Sequence, residues 1–217
     1  MTAPHGVALV TGASKGGTGT AIAVRLAAAG FAVALVARDE VGLAATAERI
    51  GELGGRTIVL PCDLADPDGG RDVLVARATA ALGPVDVLVN NAAANGYRPF
   101  TEWSRRQLEI VQQVNVWAPW QLMADAVGSM RARRRGWIVN LTSFAAELPP
   151  GPPFPTNLPA LQGSGYGASK AALNRLTVSV AAELYDDGIA VNALAPQSAI
   201  ATPHLVARGD VDPSHFE

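Results

Sequence analysis

Six short apolar runs alternate with alanine-rich stretches along nearly the whole chain. The runs fall at 6–11 (GVALVT), 32–37 (AVALVA), 57–62 (TIVLPC), 85–90 (VDVLVN), 136–142 (GWIVNLT) and 189–194 (IAVNAL). Helical periodicity fills the intervals near 19–29, 40–53, 68–82, 101–133 and 166–186. The runs are continuously apolar rather than alternating, which is how strands covered on both faces read. Strand and helix in strict alternation imply a parallel sheet with right-handed crossovers, the doubly wound α/β class. At 217 residues and 49% hydrophobic content, the chain suits one domain spanning 1–217 with one buried core.

Several function classes recede on composition. A net charge of −2 gives no general pull toward nucleic acid or acidic membranes. The basic run RARRRG at 131–136 falls in the last turn of a helix, where cations complement the dipole. One cysteine, Cys62, excludes an internal disulfide and suits a reducing compartment. The histidines His5, His204 and His215 lie too far apart for metal-ligand spacing, so no metal is expected. No signal-peptide pattern opens the sequence, and the longest uncharged stretch, 148–169, is broken by proline and glycine. The reading is a cytoplasmic protein with no membrane partner.

Two stretches break the rhythm. Residues 148–165 form a proline-rich excursion, either a surface loop or a lid at a strand's carboxyl end, where open α/β sheets bind ligands. Residues 204–217 read as a poorly ordered polar tail. Among the aromatic residues, Trp117 and Trp120 share an i, i+3 face and suggest core or a helix–helix dimer contact.

TGASKGGTGTAIA (11–23) joins the first strand to the first helix. Such a turn suits pyrophosphate, because backbone N–H groups and the helix dipole favour an anion there. The G-x-G-x-x-G fingerprint is incomplete, with Ile22 at its third glycine position. Gly12-Ala13-Ser14-Lys15-Gly16 also spells G-x-S-x-G, so Ser14 is a rival candidate as the nucleophile of a serine hydrolase, served by His204 or His215.

Tyr166 and Lys170 in GYGASKAAL stand at i and i+4, on one helix face. The chain has 17 basic residues and only two lysines, Lys15 and Lys170, so a lysine here resists a strong preference for arginine. A phenol needs its pKa lowered by about three units, roughly 4 kcal/mol, to act as a base near neutrality. One cation at about 4 Å in an effective dielectric of about 20 supplies that much.

These residues resemble the short-chain dehydrogenase/reductase family from about residue 6 to 203. TGASKGGTG is similar to its T-G-x-x-x-G-x-G loop with one residue added, and Cys62-Asp63-Leu64 to the motif whose aspartate contacts adenine. NNAA at 90–93 resembles N-N-A-G, VNV places Asn115 at the relay asparagine, IVNLTS places Ser143 at the catalytic serine, and VNALAPQ leads into the nicotinamide loop.

The resemblance implies a Rossmann fold and hydride transfer between a nicotinamide cofactor and a ketone or secondary alcohol. Asn115, Ser143, Tyr166 and Lys170 would form the catalytic tetrad. Tyr166 would give the proton, Ser143 would hold the carbonyl oxygen, and Lys170 would bind the ribose and lower the tyrosine pKa. Cofactor contacts would come from Gly12, Ser14, Lys15, Gly17, Thr18, Gly19, Arg38, Asp63, Leu64, Asn91, Ala92, Tyr166, Lys170, Pro196 and Thr202. The second strand ends in Ala37-Arg38 without an acid for the ribose 2′-hydroxyl. Arg38 and Lys15 would meet a 2′-phosphate, so NADP is favoured over NAD. Asp39 is instead expected to cap the next helix.

Departures from the family pattern are expected to matter. Ser143 and Tyr166 are 23 residues apart, so the 148–165 insertion is expected to line the substrate entrance, with Phe144, Phe154 and Leu158 in its apolar wall. Gln197 and the placement of Thr202 alter the nicotinamide pocket. The family's seventh strand has no counterpart here, which leaves a cofactor-binding protein without turnover as the main rival. A homodimer or homotetramer paired through the helices of Asn115 and Tyr166 is implied by analogy.

Overall fold

The structure is a computed structural model that describes residues 5–14, 16–148, 150–154, 163–196, 200, 202 and 206. Among these, six parallel strands form one sheet: β1 (Val7–Thr11), β2 (Ala32–Ala37), β3 (Thr57–Pro61), β4 (Val85–Asn90), β5 (Gly136–Leu141) and β6 (Ile189–Leu194). Their order is β3-β2-β1-β4-β5-β6, so the chain reverses direction of travel between β1 and β4. That is the doubly wound fold, with its switch point at the carboxyl ends of β1 and β4.

Helices cover the two faces unequally. α1 (Thr18–Ala28) and α2 (Glu40–Glu52) pack on one face against Val10, Val33, Leu35 and Val89. α3 (Leu74–Leu82), α5 (Ala118–Arg133) and α6 (Ser164–Glu183) cover the other against Leu9, Ala34, Leu88, Ile138 and Val191. All five residues of β1 and all six of β2 and β4 are buried. On the α1/α2 face, however, no helix among the described residues reaches β6. Trp137 and Leu194 remain 44% and 55% exposed there, in register opposite Ala190 and Leu141 respectively.

The interval 101–133 is not the single helix its periodicity suggests. A 3-10 turn at Phe100–Glu102 gives way to Ser104, which caps α4 (Arg105–Gln112) in a reciprocal box with Gln107. A π-turn over Gln113–Trp117 then joins α4 to α5 and carries Asn115. Such turns insert a residue without breaking the apolar stripe, so periodicity does not reveal them. Trp117 and Trp120 meet edge to face, 6.5 Å between centroids, but are 51% and 48% exposed. The core alternative for this pair is therefore wrong: their shared face points outward.

RARRRG is a staple at the amino ends of the strands. Arg131 pairs with Asp187 at 2.6 Å. Arg133 donates to the Val85 carbonyl at 2.9 Å, and Arg135 to that of His5 at 3.1 Å. Both approach Asp86, whose other carboxylate oxygen accepts from Val7 N. Arg134 ends α5 with φ +49° and donates to the Asp186 carbonyl.

Candidate active site

The glycine turn is shaped by close backbone approach. Gly12 has φ +69°, and a Cβ there would lie 2.8 Å from Asn91 Nδ2 and 3.0 Å from Ala92 Cα. A Cβ on Gly19 would fall 2.2 Å from the Gly12 carbonyl oxygen. Helix α1 thus starts hard against the turn, as a phosphate cradle requires, and no side chain caps it. Gly12 N and Ala13 N donate to Val36 O at 2.7 and 3.2 Å, fixing the turn to β2. Thr11 Oγ1 accepts from the backbone of both Asn91 and Ala92 at 3.0 Å, and Asn91 Nδ2 donates to Thr11 O at 2.8 Å. Asn91 and Ala92 therefore join the β4 end to the β1 turn.

Around this turn the other expected cofactor residues are found with mixed roles. Gly17 lies beside Thr202, whose Cβ would be 3.9 Å from a Cβ on that glycine. Thr18 is the first residue of α1, and the Ser14 carbonyl accepts from Thr20. Arg38 reaches Asp63 at 3.7 Å with both side chains well exposed, while Leu64 is buried. Asp39 caps α2 through Gly42 N, as anticipated. Pro196 is half-buried just after β6. Lys15, Leu158, Gln197, His204 and His215 lie outside the described residues, as do residues 149 and 155–162 of the 148–165 insertion and all of the 204–217 tail except Val206.

Ser143, Tyr166 and Lys170 are brought together despite the long insertion between the first two. Two glycines flanking Tyr166 make this possible. A Cβ on Gly167 would sit 2.6 Å from the Ala145 carbonyl oxygen, so the turn after Ser143 can press against α6. A Cβ on Gly165 would meet Leu108 at 2.9 Å and the Trp103 indole at 3.2 Å. Each glycine costs roughly 1 kcal/mol of helix propensity, a cost offset by this docking. The Ser143 hydroxyl is near enough to the Tyr166 phenol to draw its pKa down, and it accepts from Ala145 N at 3.2 Å. Thr142 Oγ1 donates to the Lys170 carbonyl at 3.4 Å, which adds a second tie between β5 and α6.

The electrostatics differ from the sequence-based expectation. Lys170 Nζ donates to the Leu141 carbonyl at 2.7 Å and lies 5.9 Å from the Tyr166 ring centroid. Burial lowers its pKa from 10.5 to about 8. The Tyr166 phenol is pushed above its usual 10, chiefly by burial and in smaller part by Tyr97, while the Ser143 hydrogen bond pulls it down. The protein's own lysine therefore does not produce the expected lowering: its ammonium is turned to a carbonyl rather than to the phenol. The phenol is protonated at neutral pH.

Asn115 is fully buried and acts as a clamp. Its Oδ1 accepts from Ala94 N at 2.8 Å, and its Nδ2 donates to Ala94 O at 2.8 Å and Ser169 Oγ at 2.9 Å. It ties the loop after β4 to α6. A second buried chain had no motif to announce it: Asn90 Nδ2 donates to Asn140 Oδ1, and Asn140 Nδ2 to Thr177 Oγ1. A cleft of about 330 Å3 opens between the turn holding Phe144 and the Gly167–Ala171 side of α6, and its lining does not include Ser143, Tyr166 or Lys170. Phe154 is 54% exposed. Among the described residues no cluster of histidine, cysteine and carboxylate side chains fits a metal, and no helix is long and apolar enough to cross a membrane.

A doubly wound sheet with a glycine cradle at its switch point and a buried Ser–Tyr–Lys group defines a nucleotide-binding class of enzyme-like folds. The short chain dehydrogenase family model matches residues 6–210, and the chain belongs to that family. It is 36% identical over 194 residues to a short chain dehydrogenase of Pseudocercospora fijiensis, covering 88% of this chain and 59% of that protein. It is 36% identical over 197 residues to the short-chain reductase protein NovJ of Streptomyces niveus, covering 91% and 70%. A solved structure of a metagenomic short-chain oxidoreductase in complex with NADP superposes with a TM-score of 0.80 at 35% identity, covering 90% of this chain and 84% of that one. The chain thus spans about six-tenths of the first relative's length.

Proposed function

We propose that the chain is an NADP(H)-preferring oxidoreductase that reduces a ketone, or oxidises a secondary alcohol, with Asn115, Ser143, Tyr166 and Lys170 as its working group. The observation that carries this is the buried group of Ser143, Tyr166 and Lys170, with Ser143 acting on the Tyr166 phenol and Lys170 one helical turn along, in a fold whose first turn tolerates no Cβ at Gly12 or Gly19. The bound nicotinamide supplies or accepts the hydride. Tyr166 donates its proton to the carbonyl oxygen, and Ser143 donates a hydrogen bond that strengthens as charge develops on that oxygen. Lys170 holds the ribose. The side chain of Asn115 is committed to Ala94 and Ser169, which leaves any water relay to its backbone at the π-turn. Arg38 and Lys15 meet the 2′-phosphate, and Asp63 and Leu64 border the adenine. Gly12, Ser14, Gly17, Thr18, Gly19, Asn91, Ala92, Pro196 and Thr202 complete the cofactor contacts.

A protonated phenol suits the reductive direction at neutral pH. Oxidation needs phenolate, so its rate should climb with pH, whereas reduction should fall once the phenol ionises. A cytoplasmic homodimer or homotetramer is part of this reading. A second reading, cofactor binding without turnover, is favoured by the exposure of Trp137 and Leu194, at a face of β6 that no helix covers among the described residues. Tyr166→Phe separates them: kcat for NADPH-dependent ketone reduction should drop about 1000-fold with NADPH affinity within a few-fold. Activity surviving that change sinks the tyrosine mechanism. A wild-type chain that binds NADPH but turns over no carbonyl compound supports the second reading.

A further inference from the structure

Tyr97 lies in the loop after β4 and belongs to no motif. Its ring centroid is 6.0 Å from that of Tyr166, with the planes crossing at 63°. Tyr97 is 38% exposed and Tyr166 only 8%. Of the two paired rings, that of Tyr97 is the one open to solvent.

The loop is anchored on both sides of this ring. Before it, both backbone groups of Ala94 are held by Asn115. Around it, the Trp103 indole fills the space over two glycines, lying 3.1 Å from a Cβ placed on Gly96 and 3.2 Å from one on Gly165. The Arg98 guanidinium stacks on the same indole, 5.0 Å from its centre. Residues 94, 96 and 98 are thus fixed to the π-turn and to the start of α6. A loop anchored at these three points leaves the chain at Tyr97 less freedom to lose when a ligand packs there.

We propose that Tyr97 is a specificity-determining residue whose ring walls the space above the Tyr166 hydroxyl and selects carbonyl substrates bearing a planar aromatic group. This rests on the carbonyl-reduction reading above. Aromatic rings pair edge to face or offset at centroid separations of about 4.5–7 Å. A flat substituent can adopt such a pairing with Tyr97, whereas a puckered saturated ring of equal carbon count cannot.

The test compares NADPH-dependent reduction of acetophenone and cyclohexyl methyl ketone by wild type, Tyr97→Ala and Tyr97→Phe. In Tyr97→Ala, KM for acetophenone should rise about tenfold relative to that for the saturated ketone, with kcat changed only a few-fold. Tyr97→Phe should keep the wild-type KM ratio. NADPH titration of each variant separates a lost fold from a lost preference. Equal shifts for both ketones, or no shift, overturn the assignment. A wild type that binds NADPH but reduces neither ketone, or prefers the saturated one, also overturns the aromatic class. A wild type that binds no NADPH instead overturns the function proposed above.

Discussion

β2 and β6 are six-residue strands without a single charged side chain, AVALVA and IAVNAL, yet they have different surroundings. β2 is buried at all six positions, β6 at only two. The difference lies in the layers rather than in the strands. β2 is sandwiched between α1 and α2 on one face and α3 on the other, whereas β6 has α6 on one face and, among the described residues, nothing on the other. A parallel strand gains its stability from cover on both sides. Among the described residues, the half of the molecule that forms the glycine cradle is therefore closed, and β6 in the other half is covered on one face only.

Paired truncations probe this contrast most strongly. Leu35→Ala removes a fully buried side chain from β2 and should cost about 2–5 kcal/mol. Leu194→Ala in β6, 55% exposed, should cost less than about 1 kcal/mol. Urea unfolding of both variants measures the two values. Similar costs would mean that β6 is as closed as β2, and the comparison would fail.

A second effect, of about 3 kcal/mol, comes from Lys170, at the junction of the halves. Below pH 8 the folded chain buries a charged ammonium, which opposes folding. Between about pH 8 and 10.5 the unfolded chain holds a proton that the folded chain has released. Stability should therefore rise with pH across that window. The raised pKa values of Cys62 and Tyr166 act in the opposite sense above about 9 and 10 respectively, so the rise is best read between 8 and 9. Denaturant midpoints against pH should show the rise in wild type and lose it in Lys170→Met. A rise that survives the substitution would assign it to another group.

Strand boundaries were legible in both halves: each fell within one residue, and β2, β4 and β6 matched at both ends, because every strand is a short, nearly continuous apolar run. Asp39 was legible as a cap because its side chain acts locally. The motifs also placed Ser143, Tyr166 and Lys170, but not what each one touches. That Lys170 would spend itself on the Leu141 carbonyl depends on how β5 docks on α6, a non-local fact. The outward face of Trp117 and Trp120 was hidden for a similar reason: i, i+3 spacing says that two rings share a face, not which way it points. Gly165 and Gly167 stood in plain view beside Tyr166, and a pair of glycines inside a helix was the available sign of close packing. Tyr97 gave no such sign.

The smallest expected effect concerns the rim of the cradle. Arg38→Ala should weaken NADPH binding about tenfold and leave NADH binding nearly unchanged, since only the 2′-phosphate is lost from its reach. That variant belongs beside the wild type in the measurement that bears most directly on the closed half as a nicotinamide nucleotide site: titration of tryptophan fluorescence with NADPH and NADH. The chain has four tryptophans to report energy transfer to a bound nicotinamide. Saturable binding, tighter for NADPH and weakened by Arg38→Ala, is the predicted result. A folded chain that binds neither nucleotide would contradict the account.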